Sequence, residues 1–183
     1  VNSSRQPELP EPPPALTKGS DPYKIWKLSA LETAAGETET VFKFYPLQTD
    51  NFQRLNAGFS YAHFDLYIDI NHRPRAGSTK LLEGRDGRLF PDNAWDYALE
   101  VSPAGAALYL ATARGPKLLG TLEARLENGA VTVRAPKTLL GGNPLSWGYA
   151  ALMLAPAGGG KYFITDYLAA DFLNGYFYAL RPR

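Results

Sequence analysis

Phe64-Asp65-Leu66-Tyr67-Ile68-Asp69-Ile70-Asn71 sets apolar and polar side chains in strict alternation. Phe64, Leu66, Ile68 and Ile70 recur at every second position, the period of a β-strand with one apolar face. The intervening residues, His63, Asp65, Tyr67, Asp69 and Asn71, are polar or amphipathic. One face is expected to build core and the other to carry any chemistry the strand has. Ahead of it stands Ala57–Ala62. Behind it comes a turn-rich loop with Gly77-Ser78-Thr79 and Leu82-Glu83-Gly84-Arg85-Asp86, and then Trp95-Asp96-Tyr97-Ala98-Leu99-Glu100-Val101. In this last run Trp95, Tyr97, Leu99 and Val101 are expected to share one strand face.

Outward from this centre the same pattern repeats. Tyr23–Leu31 reads as a first strand, Glu32–Glu37 as a turn around Gly36, and Thr38–Pro46 as a second strand. Ala106–Ala113 continues the series until Gly115-Pro116 breaks it. Asn128-Gly129 between Thr121–Glu127 and Ala130–Ala135 is a strong hairpin signal, because both turn positions of a two-residue hairpin favour positive φ. Lys137–Leu140 suits one helical turn. Trp147–Leu154 and Tyr162–Tyr167 are further strands, followed by the aromatic-rich Asp171–Leu180. About eight to ten short strands, with turn signals every ~8–12 residues, predict an all-β fold, an antiparallel β-sandwich of jelly-roll or immunoglobulin-like type. No long stretch of helical period competes with it.

Composition narrows the function classes. The chain has 183 residues, 19 basic and 18 acidic, for a net charge of +1. That balance argues against a nucleic-acid partner, which a basic excess usually marks. No apolar run reaches the ~18 residues of a membrane-spanning helix. There is no cysteine, which excludes disulfides, thiolate zinc sites and thiol catalysis. Residues 1–20 carry Pro7, Pro10, Pro12, Pro13 and Pro14 and read as a Pro-rich linker or tail. Residues 21–183 are then the sandwich domain. Val1 in place of a starting Met suits a processed chain or a piece of a longer protein, and both stay open.

Gly58-Phe59-Ser60, Leu66-Tyr67-Ile68-Asp69, Gly77-Ser78-Thr79, Gly84-Arg85 and Trp95-Asp96-Tyr97-Ala98 occur in an order that resembles the C-terminal binding module of glucodextranase-type proteins. That module belongs with sandwiches similar to family 9 carbohydrate-binding modules and DOMON domains. The resemblance extends weakly through Val131–Pro136 and Trp147-Gly148-Tyr149, covering roughly Asp21 to Ala155. It implies a DOMON-like sandwich without catalytic activity, attached to secreted or cell-surface proteins. One departure is Asn71-His72-Arg73-Pro74-Arg75, which is basic where relatives keep an acidic or glycine-rich turn.

Two kinds of binding site are candidates. Sugars stack on flat aromatic rings and hydrogen-bond to nearby polar groups. Trp26, Tyr67, Trp95, Trp147 and Tyr176 are the candidate ligand-binding residues. Trp95 and Trp147 each open an alternating apolar run, which equally suits core positions, and Tyr176-Phe177-Tyr178 equally suits the closing of one sandwich end. For calcium, Asp69, Asn71 and Asp86 supply the oxygen ligands that ion requires. Asp65 and Asp69 lie about 13 Å apart along a strand at ~3.3 Å per residue, too far to share one ion on a straight strand. The competing reading has these carboxylates capping turns and pairing with Arg73, Arg75, Arg85 and Arg88.

Catalysis has little support. His63 and His72 are the only histidines, no nucleophile elbow is complete, and Met153 is the only methionine available as a haem ligand. The expectation is a non-catalytic module of a secreted or cell-surface protein that binds α-glucan or cell-wall polysaccharide and is tethered to a larger protein. The alternative is a surface-layer or envelope-attachment domain that binds protein, and a small metalloenzyme stands third.

Overall fold

The computed structural model describes residues 27–47, 63–173 and 176–180. The Pro-rich lead, Trp26 and Gly58-Phe59-Ser60 lie outside the described residues. In chain order the strands are β1 (Leu28–Ala35), β2 (Glu39–Pro46), β3 (His63–Asp69), β4 (Arg88–Leu89), β5 (Tyr97–Ser102), β6 (Gly105–Thr112) and β7 (Gly115–Leu122). They continue with β8 (Ala124–Glu127), β9 (Ala130–Pro136), β10 (Gly148–Gly158), β11 (Lys161–Leu168), β12 (Asp171–Leu173) and β13 (Tyr176–Tyr178). The described residues contain two short 3₁₀ turns, Pro91–Asn93 and Pro144–Ser146, and no α-helix.

A four-stranded sheet, β1-β2-β9-β8, faces a six-stranded one, β11-β10-β3-β5-β6-β7, and every pairing in both is antiparallel. This is the β-sandwich the alternation predicts. The main core lies between the two sheets. Phe42, Phe44, Val131 and Val133 come from one side, and Phe64, Leu66, Ile68, Leu99 and Leu108 from the other. The Phe44 and Phe64 rings stack with centroids 5.0 Å apart.

The opposite face of the six-stranded sheet departs from expectation. It does not lie open to water. The 71–96 loop and a small third sheet, β12-β13-β4, cover its middle. There Tyr67, Ala98, Ala150, Leu152 and Leu154 pack against Leu81, Leu82, Leu89, Trp95 and Phe177 as a second core. Strand β3 is therefore buried on both faces, and its polar residues Asp65, Tyr67 and Asp69 are inside the protein. Such coverage leaves no exposed alternation to read.

Several local readings shift. The first hairpin turn is narrower than Glu32–Glu37, because Leu31–Ala35 pairs with Phe44–Thr40 and the chain reverses only at Gly36, whose N–H donates to the Glu39 carbonyl at 2.8 Å. Gly115-Pro116 begins a strand instead of ending one. β7 is an edge strand, where Pro116 and Gly120 are tolerated. Asn128 and Gly129 have φ of 50° and 80°, the positive pair that the Asn-Gly hairpin requires. Lys137–Leu140 makes a single turn, with the N–H groups of Leu139 and Leu140 both donating to the Pro136 carbonyl.

Candidate functional site

Where the covering loop stops short of β6 and β7, the outer face of the six-stranded sheet stays open as a cleft of about 610 Å³. Its walls include Lys80, Glu83, Arg85, Glu100, Tyr109 and Arg114. The register explains the grouping. Asp65 pairs with Glu100, Glu100 with Ala107, and Ala107 with Thr121, so these four form one row across β3, β5, β6 and β7. Tyr67, Ala98, Tyr109 and Leu118 form the next row on the same face.

The floor is held from behind. Asp65 is fully buried and accepts three hydrogen bonds: Arg85 Nε at 2.9 Å, Arg85 Nη2 at 3.0 Å and Tyr67 Oη at 2.8 Å. The Arg85 side chain, only 5% exposed, also donates from Nη2 to Glu100 Oε1 at 2.6 Å and from Nη1 to the Glu83 carbonyl at 2.6 Å. Tyr109 Oη donates to Glu100 Oε2 at 3.1 Å. Tyr162 lies under the guanidinium, 4.3 Å from the ring centroid. Leu82 N–H donates to Tyr67 Oη at 3.1 Å, which ties the loop wall to the same network.

Burial pushes the Asp65 carboxyl up, and the guanidinium with its two bonds opposes that. Burial also works against the charge on Arg85, but Asp65 and Glu100 outweigh it and hold that group above its ordinary value. Fixing a bidentate arginine against a carboxylate restricts both side chains. The cleft therefore presents Glu100 and Tyr109 in set positions before any ligand arrives.

Glycine makes the presentation of Arg85 possible. Gly84 has φ +82°, and a Cβ there would stand 2.0 Å from the Gly160 carbonyl oxygen. That close approach lets Tyr162 N–H donate to the Gly84 carbonyl at 2.9 Å and seats Arg85 over the Tyr162 ring.

The sequence-predicted ligand residues fall elsewhere. Tyr67, Trp95 and Trp147 are at most 2% exposed, so none offers a ring face to a ligand, and the stacking role expected of them is corrected. Trp147 belongs to the main core, beside Tyr149. Trp95 belongs to the second core, on the other side of the sheet from Leu99 and Val101, so these residues do not share one face. Tyr67 and Trp95 nonetheless support the cleft. Tyr67 holds Asp65, and Trp95 Nε1 donates at 2.8 Å to the carbonyl of Lys80 in the cleft wall. Tyr176 meets the edge of Phe90 in the small sheet and does not line the cleft.

Two of the calcium candidates, Asp69 and Asn71, are engaged by partners within the chain. Asp69 Oδ1 accepts the His72 N–H at 2.8 Å, and Asn71 bonds Asp96 through Nδ2 and accepts the Arg73 N–H through Oδ1. His72 Nε2 donates to the Ser146 carbonyl at 2.7 Å, since a carbonyl can only accept. These groups organise the basic turn after β3. Asp86 sits beside Arg85, which reaches Asp65 near the start of β3, whereas Asp69 ends that strand. Among the described residues no three His, Asp or Glu side chains gather where one metal ion would bind.

His63 stands at the other end of the floor, 5.3 Å from Tyr162 between ring centroids. Burial pushes its imidazole below the ordinary value, Glu100 pulls it up, and Arg85 adds to the lowering. Below the ordinary histidine range near ~6.5, the unfolded chain takes up a proton that the folded chain resists, so this group makes stability fall as pH falls. Between pH 7.5 and pH 5, the denaturation midpoint of wild type is expected to drop more than that of His63→Phe. Equal drops would remove His63 from the acid response.

Two facing sheets thus carry a cleft whose polar groups are held in place from behind. Residues 19–166 match the family described as the C-terminal binding module, SLH-like, of glucodextranase, and the chain belongs to that family. The family is a binding module and not a catalytic domain. No curated protein matches the chain.

Proposed function

We propose that this chain is a non-catalytic carbohydrate-binding module of a secreted or cell-surface protein, tethered to a larger polypeptide. Its ligand is an α-glucan or a cell-wall polysaccharide, held in the cleft floored by Arg85, Glu100 and Tyr109. The observation that carries this reading is the locked floor. Sugar hydroxyls both donate and accept; the fixed and partly exposed Glu100 carboxylate can accept from them, and Lys80 and Arg114 in the walls can donate to them. Because Asp65 and Tyr67 fix those groups beforehand, little side-chain freedom is lost on binding. Membership in a family of binding modules supports the same conclusion.

A glycan array probed with the purified domain, with calcium and again with chelator, tests the reading. Binding to one polysaccharide class is expected. Tyr109→Ala removes the half-buried ring and the hydroxyl from the cleft wall and should weaken that binding about tenfold, ~1.4 kcal/mol, by titration calorimetry. A blank array in both conditions would discard the sugar reading in favour of an envelope-attachment domain that binds protein.

A further inference from the structure

We propose that the binding site is a groove which takes an internal segment of a linear, neutral polysaccharide, with a second subsite at His63, Ser102, Ala107 and Thr121. This rests on the carbohydrate reading above. A second cavity of about 290 Å³ lies beside the first, and Glu100 lines both. One end reaches Gly105, at the start of β6. The other reaches Gly115, which pairs with Thr112 at its end. The two cavities together flank the whole of β6, roughly 23 Å at ~3.3 Å per residue. That length is several times the width of one sugar ring, so a single terminal unit would leave most of it empty.

The floor of the second cavity is kept low by small side chains. Ala107 stands between Glu100 and Thr121 in the cross-sheet row, and Ser102 pairs with Gly105. Its polar groups are His63, Ser102, Thr121 and Tyr162, with Glu100 as its only charged group. Glu100 is already paired with Arg85. A site with hydroxyl and imidazole partners and no cation of its own suits uncharged hydroxyl-bearing units over uronates or phosphates. Burial keeps the His63 ring toward its neutral form, in which one nitrogen donates and the other accepts.

The test is a length series of oligosaccharides from the polysaccharide that binds on the array, measured by calorimetry against wild type and Thr121→Phe. Thr121 is exposed, so a ring there fills the second cavity without entering the core. Wild-type affinity should rise at least about tenfold from the shortest binding oligomer to the plateau. Thr121→Phe should lose most of that rise, its affinity for the longest oligomers falling toward that for the shortest. Ala107→Met gives the same obstruction from the neighbouring strand, should Thr121→Phe fold poorly. Affinity already at plateau for a mono- or disaccharide would overturn the groove while leaving the carbohydrate reading intact. Preference for an acidic over a neutral polymer would overturn the ligand class, and binding only to a peptide or to no glycan would remove both readings.

Discussion

Arg85→Met should lower the folding free energy by about 3–5 kcal/mol, the usual cost of leaving one partner of a buried ion pair uncompensated. Asp65 has no exposure to water, and two of its three hydrogen bonds come from Arg85. Without the guanidinium only Tyr67 Oη remains, and burial then pushes the Asp65 carboxyl up unopposed. The folded variant would hold a proton that the unfolded chain releases near the ordinary carboxylate value of ~3.9. Stability of a group raised in this way is present below that value and is lost as pH rises through the folded value. The deficit of Arg85→Met relative to wild type should therefore grow with pH, measurable by urea denaturation at pH 5 and pH 8. Combining Arg85→Met with Asp65→Leu should recover much of the loss. A residue of about 1–3 kcal/mol is expected, because the Tyr67 hydroxyl then lacks its acceptor. A loss under about 1 kcal/mol for the single variant would mean that water or another cation replaces Arg85, and the floor of the cleft would not be locked as described.

This network also shows how far the sequence could be read. The alternation in Phe64–Ile70 is enough to place β3 in a sandwich, since Phe64, Leu66 and Ile68 do face the main core. Asn128-Gly129 specifies its hairpin through backbone sterics alone. The Gly84-Arg85 pair was visible as part of the family resemblance, yet its role was not. A surface arginine and a buried one look alike until the fold brings Asp65, 20 positions earlier, against it. Glu100 and Tyr109 were likewise hidden in ordinary polar phases of β5 and β6. Their convergence depends on strand register, which single-chain periodicity leaves open. Trp95, Trp147 and Tyr67 read in sequence as sugar platforms because large aromatics serve both cores and binding faces. Burial separates the two uses, and burial of the outer sheet face depends on the 71–96 loop, which has no periodic signal.

Trp95 is where core and site meet, and truncating it separates their contributions. Trp95→Ala should cost about 3–5 kcal/mol, the range for removing a large buried aromatic. The ring is completely buried, packs against Tyr67 at 5.8 Å between centroids, and stands among Leu81, Leu82 and Leu89 beneath the covering loop. Its backbone is equally committed. Ser78 and Trp95 exchange two N–H to carbonyl bonds at 2.9 and 2.8 Å, and a Cβ at Gly77 would come within 2.4 Å of the Trp95 carbonyl oxygen. The loop wall that carries Lys80 is thus fastened to Trp95 by its backbone and by the indole N–H. Trp95→Phe keeps part of the packing and loses the indole donor, so a smaller loss of about 1–3 kcal/mol is expected. Both variants should weaken the proposed glycan binding even under conditions where they remain folded, since the wall of the cleft is released. Tyr109→Ala should weaken binding with a smaller loss of stability than Trp95→Ala, because Tyr109 is half-buried at the margin of the second core and lines the cleft. Should Trp95→Ala melt like wild type, the second core would not be what holds the loop over β3. Should it melt early yet bind at full strength once folded, the loop wall would be no part of the binding site.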